Sequence, residues 1–249
     1  ILTLFRARGR EVAAVSHVAD ELRQEIVWDV VTWVANRNIN YTNVCWVKCD
    51  FCAFYRKPGS DEGYVLPTEQ IFAKIDEMVS VGGNEPKSCE ILMQGGLNPK
   101  LRLEYYEELF SAIRDRYPQV HQHCLSATEI IYIAHLSKLS LRETLRRLRD
   151  AGLDSIPGAG AEILVDDVRD IIGFRKDRTS EWLDVHRIAH ELGMRTTATM
   201  MFGHVETVEH RLEHLQHLRG LQDPTGGFTA FLAWVFQPDH TDLGGGRVR

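Results

Sequence analysis

Short apolar segments alternate with longer amphipathic ones along most of the chain. Each short segment is followed by a stretch in which apolar residues recur at helical spacing, often with start and stop signals. Pro67 stands at a helix start, Ser140 at a cap position and Gly193 at a helix end. The pattern predicts six strands, within 29–45, 89–96, 120–126, 153–164, 195–203 and 227–236. It predicts helices over 67–83, 102–118, 140–152, 179–193 and 208–222.

This alternation is typical of an α/β fold in which helices cover parallel strands. We expect a TIM-type (β/α) barrel with about six strand–helix units visible, whereas a closed barrel has eight. The last predicted strand, FTAFLAWVF, would be an exposed apolar edge if the sheet stopped there, so we expect truncation at the C-terminus. No linker interrupts the pattern, which predicts one domain over 1–249: a helical lead-in over 1–27 and a barrel core over 28–249. The tail over 241–249 is predicted to be a loop.

Composition narrows the class of protein only slightly. The 249 residues are 44% hydrophobic and 26% charged, which is ordinary for a globular protein with a large core. The net charge of −6 predicts no nucleic-acid partner, and no apolar run approaches the roughly 20 residues that cross a bilayer. The N-terminus has no signal-peptide pattern and cysteines are few, so the predicted location is cytoplasmic. The histidines at helical spacing are predicted to be packed or solvated, not metal ligands.

The unusual residue clusters follow the predicted strands. The cysteine segment NYTNVCWVKCDFCAFYR comes after the first strand, QGG after the second and LSATE after the third. GAGAE and GHVET follow the fourth and fifth strands. In parallel α/β barrels the loops after the strands form the active site, so these clusters are expected to meet at one rim.

Cys45, Cys49 and Cys52 place three thiols close together on one loop. Structural zinc normally takes four ligands, so zinc would need a fourth from Cys89, Cys124 or a histidine. A thioredoxin-like pair, Cys49 and Cys52, would leave Cys45 without a role. A 4Fe–4S cluster is favoured, because three thiolates would leave the fourth iron open for a ligand. Inert thiols are the remaining alternative.

The spacing C-x3-C-x-Φ-C, with Phe51 before the last cysteine, resembles the radical S-adenosylmethionine (SAM) enzymes. The resemblance implies a radical-SAM barrel in which Cys45, Cys49 and Cys52 ligate a 4Fe–4S cluster whose open iron binds SAM. One electron then cleaves SAM to a 5′-deoxyadenosyl radical, so an electron donor such as flavodoxin or ferredoxin is the expected protein partner. The stretch from Phe51 to Phe54 is expected to lie against the adenine.

Two other loops have both a cofactor role and a structural alternative. Gln94, Gly95 and Gly96 stand where the family contacts the amino group of SAM, and the glycines permit close backbone approach. The alternative there is a tight strand–helix turn. Ser126 is a further candidate cofactor contact, but together with Glu129 it also matches a helix N-cap with a capping box.

The loops after the fourth and fifth strands carry carboxylates. Glu162 is expected to accept hydrogen bonds from a ribose hydroxyl or an ammonium group of SAM. Relatives read Gly-Gly-Gly-Ala-Glu there, so Ala159 is a departure that would cost about 1 kcal/mol if its φ had to be positive. Gly203 and Glu206 partly match the family's adenine-contact pattern. Glu206 and His204 are the catalytic candidates, with His204 either a substrate contact or proton acceptor, or an ordinary hydrogen-bonded loop residue.

Longer segments are similar to the menaquinone futalosine-pathway enzymes and their deazaflavin (FO) synthase relatives. The matching segments are INYTNVC, SIPGAGAEIL, TATMMFGHVET, LQDPTGGFTAF and FQPDHT. Gln237 resembles the cyclases that form cyclic dehypoxanthinyl futalosine, whereas aminofutalosine synthases tend to show a histidine there. The implied reaction removes hydrogen from ribose C4′ of dehypoxanthine futalosine, a small nucleoside-derived substrate, and closes a ring. Aminofutalosine synthase, an FO synthase subunit and a non-catalytic zinc- or cluster-binding module stay open as alternatives.

Overall fold

Parallel strands curl into an open half-barrel that helices cover on the outside. The computed structural model describes residues 2–82 and 89–244. Its sheet has six parallel strands in chain order: β1 (Ala35–Asn40), β2 (Cys89–Gln94), β3 (His121–Cys124), β4 (Ser155–Ile156), β5 (Arg195–Phe202) and β6 (Phe228–Val235). The helices are α1 (Leu2–Phe5), α2 (Arg10–Val27), α3 (Thr68–Gly82), α4 (Leu103–Arg116), α5 (Ala127–Ser137), α6 (Leu141–Ala151), α7 (Asp166–Gly173), α8 (Thr179–Glu191) and α9 (Val208–Thr225). A short 3-10 helix spans Asp242–Gly244. The predicted partial α/β barrel with six strands is confirmed.

The main hydrophobic core lies between the sheet and its helices. On β2, Ile91 and Met93 are fully buried and belong to the same core cluster as Phe110 and Ile113 of α4. Because side chains alternate along a strand, Gln94 points to the other, inner face. Burial of each large apolar side chain contributes about 1.5–3 kcal/mol. The inner face of β2 thus carries Glu90, Leu92 and Gln94.

The helix α7 has no counterpart among the predicted elements, and α5 is predicted only through the helix N-cap alternative at Ser126. At the start of α5, the Ser126 side chain accepts from the Glu129 N–H and the Glu129 carboxylate accepts from the Ser126 N–H. The capping-box alternative for LSATE is thus confirmed. β1 is shorter than its predicted segment, because residues 28–34 lie outside the sheet. Gly83, at the predicted end of the first helix, and residues 245–249 of the predicted tail loop lie outside the described residues.

Large apolar side chains are exposed on α2 and β6. None of the 18 residues of α2 is buried. In the described part of the chain β6 pairs only with β5, and Leu232 and Val235 are 51% and 54% exposed. Truncation of the chain stays a prediction. None of the described helices combines the length and the apolar character that crossing a membrane requires.

One histidine of α8 and one of α9 pack inside the protein, whereas His190, His210 and His217 are partly exposed, so both predicted settings, packed and solvated, occur. His186 and His214 are fully buried. The ring of His186 packs 3.9 Å from that of Trp182, and Nδ1 of His214 accepts a hydrogen bond from the Leu164 N–H at 2.9 Å. Burial lowers the pKa of His214 to about 3, so its imidazole is neutral at neutral pH.

Acid is expected to destabilise the fold through His214. Its pKa is about 3 in the folded chain but about 6.5 in the unfolded chain, so the unfolded state binds more protons between these values. The free energy of unfolding should therefore fall as the pH drops below about 6.5, by about 1 kcal/mol between pH 6.5 and 5.5. Urea unfolding of the wild type and of His214→Gln at both pH values measures this contribution. Equal pH slopes for the two proteins would contradict it.

Candidate active site

A cavity of about 470 Å³ opens where the strands end at their carboxyl side. It brings together many of the side chains that the sequence singles out: Cys45, Cys49, Phe51, Cys52, Gln94, Gly95, Ser126 and Glu162. Gln237, just after β6, also lines it. The remaining candidates lie outside its wall: Phe54, Gly96, His204 and Glu206. Phe54 is 39% exposed at the surface.

Backbone hydrogen bonds anchor the cysteine loop that follows β1. The Cys45 N–H donates to the Arg56 carbonyl at 2.8 Å, which closes the loop on itself. The Asp50 N–H donates to the carbonyl of Ile172 in α7 at 2.9 Å. The three thiols are free and half-buried. These hydrogen bonds hold the loop at Cys45 and Asp50, and its three cysteines line the cavity.

Two glycines let other elements approach this loop closely. A Cβ on Gly96 would lie 2.9 Å from the Cβ of Cys45, and a Cβ on Gly173 would lie 3.0 Å from Sγ of Cys49. Real side chains hardly ever tolerate such contacts, so larger residues would displace the loop. Gly96 therefore lets the segment after β2 pack closely against the cysteine loop, and Gly173 lets the end of α7 pack closely against Cys49.

The distances between the sulfurs bear on the two metal alternatives. Three thiolates on one tetrahedral zinc ion would lie about 3.8 Å apart, since a Zn–S bond is about 2.3 Å long. Within 2–82 and 89–244, only Glu90, His121 and His123 bring three donor atoms within 4.8 Å of one another. At least one pair of the three cysteine sulfurs is therefore more than 4.8 Å apart in this structure, which is farther than a single zinc ion requires. A four-iron cluster, whose thiolates bind separate irons, does not require such close sulfurs.

Burial raises the pKa of the Cys49 thiol to about 12, and burial also raises the pKa of Cys52. The positive charge of Lys176 partly offsets the shift at Cys49. Metal centres bind the thiolate form, so cluster binding is expected to release protons from this loop.

Glu129 ties three strand ends together at the edge of the cavity. Its buried carboxylate accepts hydrogen bonds from the Tyr41 hydroxyl at 2.8 Å and from the Gly95 N–H at 2.9 Å. It also accepts from the N–H and the hydroxyl of Ser126, both at 2.7 Å. Tyr41, Gly95 and Ser126 directly follow or closely follow β1, β2 and β3. Burial raises the pKa of Glu129, and these four donors counter that shift.

Replacing Glu129 by leucine is expected to cost about 2–3 kcal/mol of stability, because several buried donors lose their acceptor. Glu143→Leu is the matched control, since Glu143 holds the same third position of α6 but is 40% exposed. That change should cost less than about 1 kcal/mol. Urea unfolding of both variants measures the difference. Similar losses in the two proteins would mean that Glu129 does not join the strand ends.

A buried charge network forms one wall of the cavity. Nζ of Lys176 lies 3.3 Å from the Glu162 carboxylate and 3.6 Å from that of Asp177, and it donates to the Gly160 carbonyl at 2.7 Å. Asp177 also pairs with Arg169 at 2.7 Å, and both side chains are 2% exposed. Two cations balance two carboxylates, which limits the cost of burying them. Because Lys176 and Glu162 both reach the cavity, they present opposite charges to a ligand.

The loop between β4 and α7 has its positive φ values at positions other than Ala159. They occur at Gly160, with φ +85°, and at Glu162, with φ +40°. The cost expected at Ala159 therefore does not arise, and its carbonyl accepts from the Trp182 indole N–H at 3.2 Å. A left-handed glutamate costs about 1 kcal/mol, and such strain is concentrated at functional sites.

The turn after β5 holds His204 and Glu206 away from the cavity wall. The Glu206 carboxylate accepts from the N–H groups of Gly203 and His204, at 2.6 and 2.9 Å, and from Nε of Arg211 at 2.8 Å. Nε2 of the buried His204 lies 3.1 Å from the Met201 carbonyl, and burial lowers the pKa of this imidazole. Both side chains shape the turn, and catalytic roles for them stay predictions.

Polar side chains continue along the inner face of the sheet. The Ser155 hydroxyl of β4 lies 2.7 Å from Nε2 of His121 and 2.6 Å from Nδ1 of His123. Glu90 accepts a hydrogen bond from the Asn36 amide at 2.7 Å. One potential ligand atom of each of Glu90, His121 and His123 is thus already in a hydrogen bond, and we assign no ion to this group.

Lys176 and Arg169 are functional candidates that sequence reasoning missed. They lie in VRDIIGFRKDRT, where mixed charges are typical of a solvated segment. Arg178 in the same segment is indeed 50% exposed. No sequence pattern distinguishes the two buried cations from the exposed Arg178. Only their packing near Glu162 in the folded chain does so.

Comparison with models of known protein families gives a match to the region that contains this site. The model described as the radical SAM superfamily matches residues 39–218, from the end of β1 into α9. The match contains the cysteine loop, the Glu129 cluster and the buried charge network. The chain belongs to the radical SAM superfamily.

Several curated relatives are more than two fifths identical to the chain over the aligned residues. It is 46% identical over 214 residues to the cyclic dehypoxanthine futalosine synthase of Halalkalibacterium halodurans, covering 86% of this chain and 56% of that protein. It is 43% identical over 242 residues to the FO synthase of Mycobacterium leprae, covering 97% and 28%. It is 44% identical over 227 residues to the 5-amino-6-(D-ribitylamino)uracil–L-tyrosine 4-hydroxyphenyl transferase of Methanococcoides burtonii, covering 91% and 61%. The chain thus spans less than two thirds of the length of each relative.

Solved structures share the fold at much lower identity. Methylornithine synthase (PylB) matches with a TM-score of 0.76 and 15% identity, covering 99% of this chain and 66% of that one. The hydrogenase maturase HydG from Carboxydothermus hydrogenoformans matches with a TM-score of 0.76 and 16% identity, covering 99% and 54%. At these identities the likeness concerns the barrel fold alone.

Proposed function

We propose that the chain is the SAM-cleaving part of an enzyme that cyclises dehypoxanthine futalosine in menaquinone synthesis. The observation that carries this proposal is the meeting of three cysteines with Glu162 and Lys176 in one cavity. The 46% identity to a cyclic dehypoxanthine futalosine synthase and the presence of Gln237 in the cavity wall support the cyclase in particular.

Cys45, Cys49 and Cys52 would hold three irons of a 4Fe–4S cluster. Reduced and with SAM bound, that cluster supplies a 5′-deoxyadenosyl radical able to take a hydrogen atom from a C–H bond. The protein's own task is to orient the substrate and to exclude water. Gly96 and Gly173 serve that task, because they allow neighbouring segments to close against the loop.

The cavity offers groups that match the polar parts of SAM. The Glu162 carboxylate suits an ammonium group or ribose hydroxyls, and the Lys176 ammonium suits a carboxylate. Phe51 offers an aromatic face for adenine. The Ser126 hydroxyl already donates to Glu129, so it would act toward a ligand as an acceptor. Gln94 adds a side-chain amide at the end of β2.

The substrate would lie against the part of the wall that β6 contributes. Trp234 and Phe236 offer flat apolar surface for a benzoate ring, and Gln237 offers an amide for polar groups. In the proposed reaction the 5′-deoxyadenosyl radical would take the hydrogen atom from ribose C4′, and C4′ would then bond to the ring. The ring would lose one proton to solvent and one electron to the oxidised cluster, so the substrate would lose two hydrogens overall. Holding C4′ over the ring favours this intramolecular addition over quenching by other C–H groups.

Anaerobic turnover with two substrate sets tests the proposal. The reconstituted chain receives SAM and dithionite with dehypoxanthine futalosine, or with tyrosine and 5-amino-6-(D-ribitylamino)uracil, and products are followed by mass spectrometry. A product two hydrogens lighter than dehypoxanthine futalosine supports the cyclase. Coupling of tyrosine to the uracil would support the second candidate, which the 44% identity to the transferase favours. 5′-Deoxyadenosine without either product would reject both substrates.

A further inference from the structure

The ammonium group of Lys176 has two fixed hydrogen-bond acceptors in the cavity wall. It donates to the Gly160 carbonyl at 2.7 Å and to the Thr128 hydroxyl at 3.1 Å. The Lys176 side chain is 4% exposed, and all three residues line the cavity. An ammonium group has three N–H donors, so one donor remains for a further partner. Of the two carboxylates beside it, that of Glu162 at 3.3 Å is nearer than that of Asp177 at 3.6 Å.

Asp177 sets the direction of the Thr128 hydroxyl. A threonine hydroxyl has one hydrogen and two lone pairs, and Thr128 donates its hydrogen to the Asp177 carboxylate at 2.6 Å. The lone pairs are therefore left for Lys176. Asp177 is held in turn by Arg169 at 2.7 Å, and both of these side chains are 2% exposed. Thr128 thus links the buried Arg169–Asp177 pair to the Lys176 ammonium.

Two backbone elements meet at the Thr128 hydroxyl. Thr128 is the second residue of α5 and precedes Glu129, whose carboxylate joins the strand ends. A Cβ on Gly160 would lie 2.5 Å from Oγ1 of Thr128 and 3.3 Å from Nζ of Lys176. Gly160 also has a φ of +85°, which favours glycine. The absence of a side chain at Gly160 therefore lets the loop after β4 and α5 hold Lys176 between them.

We propose that Thr128 is a positioning residue, which holds the Lys176 ammonium so that its third N–H is directed to the carboxylate of SAM. When SAM binds, Lys176 exchanges the Glu162 carboxylate for that of the ligand. Glu162 then becomes free to accept from the ammonium group or the ribose hydroxyls, and no covalent bond changes. This inference rests on the proposed function, since that function assigns SAM to this wall of the cavity.

Binding of two ligands separates this role from a purely structural one. Calorimetry measures the Kd of SAM and of decarboxylated SAM for the anaerobically reconstituted wild type, Thr128→Val, Thr128→Ser and the control Thr144→Val. Thr144 is a buried threonine of α6, away from the cavity wall, whose hydroxyl donates to the Ser140 carbonyl at 3.0 Å. Thr128→Val should weaken SAM binding about tenfold, because a hydrogen bond to a charged group is lost, and should leave decarboxylated SAM unchanged.

The conservative variant and the control complete the binding test. Thr128→Ser keeps the hydroxyl, so it should bind both ligands like the wild type, and so should Thr144→Val. Unchanged binding of SAM in Thr128→Val, or equal weakening of both ligands, would overturn the proposal. Weak binding of SAM in Thr128→Ser would overturn it as well.

Acylation of Lys176 in the full chain before reconstitution keeps the two proposals apart. The wild type and both Thr128 variants are treated with acetic anhydride, and mass spectrometry follows the modification of Lys176. The reaction should be several-fold faster in Thr128→Val, because Nζ has lost a fixed partner, and should keep the wild-type rate in Thr128→Ser. Equal rates in all three proteins would overturn the role of Thr128. If the wild type with a full cluster bound no SAM, the proposed function would fail, whereas the acylation rates would still judge whether Thr128 holds Lys176.

Discussion

Cys49→Ala is expected to remove the cluster and all SAM cleavage together. With one of three thiolates gone, the remaining two sulfurs cannot hold a four-iron cluster at a site that already supplies one ligand fewer than its irons. Iron and acid-labile sulfide should fall from about four per chain to near zero after anaerobic reconstitution. 5′-Deoxyadenosine formation should fall to the level of a sample without protein.

Cys124→Ala provides the control for the loss of a thiol. Cys124 is fully buried in β3, and its sulfur lies 4.0 Å from the Ile91 carbonyl, away from the cavity wall. This variant should keep its iron, its sulfide and its SAM cleavage, apart from a modest loss of stability. Full iron content in Cys49→Ala, or complete iron loss in Cys124→Ala, would show that the ligands have been assigned wrongly.

Arg169→Leu is expected to lower the free energy of unfolding by about 3–5 kcal/mol. The guanidinium of Arg169 bonds to the Asp177 carboxylate at 2.7 Å, to its carbonyl at 2.8 Å and to the Ala161 carbonyl at 2.8 Å. Leucine would leave the Asp177 carboxylate with one cation, Lys176, and would leave carbonyls without a donor. Since Lys176 also pairs with Glu162, the cavity wall should be disturbed as well.

Arg178→Leu is the matched control for this change. Arg178 pairs with Asp170 at 2.7 Å, but the two side chains are 50% and 47% exposed. An exposed pair of this kind contributes about 0–1 kcal/mol. Urea unfolding of both variants at neutral pH measures the contrast. Equal losses would show that the buried network does not stabilise the wall of the cavity.

Much of the fold could be predicted from the sequence because strands and helices differ in hydrophobic period. The clear cases are β5 and α9. The apolar run of β5 lies between the turn at Gly193 and the helix cap at Thr207, which predicts a strand followed by a helix. β4 is harder, since it has only two residues and its pairing depends on its neighbours. α7 has only eight residues and lies in a charged segment, so it is too short for a helical period to be recognised in the sequence.

The residues of the candidate site also differ in how well the sequence predicts them. Cys45, Cys49 and Cys52 are visible in the sequence because their chemistry lies in local spacing. Lys176 and Arg169 are not, because only tertiary packing buries them beside Glu162. No pattern in the chain shows which of several neighbouring cations will leave the solvent.

The deuterium content of 5′-deoxyadenosine tests the central claim most directly. Dehypoxanthine futalosine labelled with deuterium at ribose C4′ is incubated anaerobically with the reconstituted chain, SAM and dithionite, and the nucleoside is analysed by mass spectrometry. The account predicts that 5′-deoxyadenosine carries one deuterium and that the cyclic product has lost it. A chain with full iron and sulfide that forms no 5′-deoxyadenosine, or forms only the unlabelled nucleoside, would contradict the account.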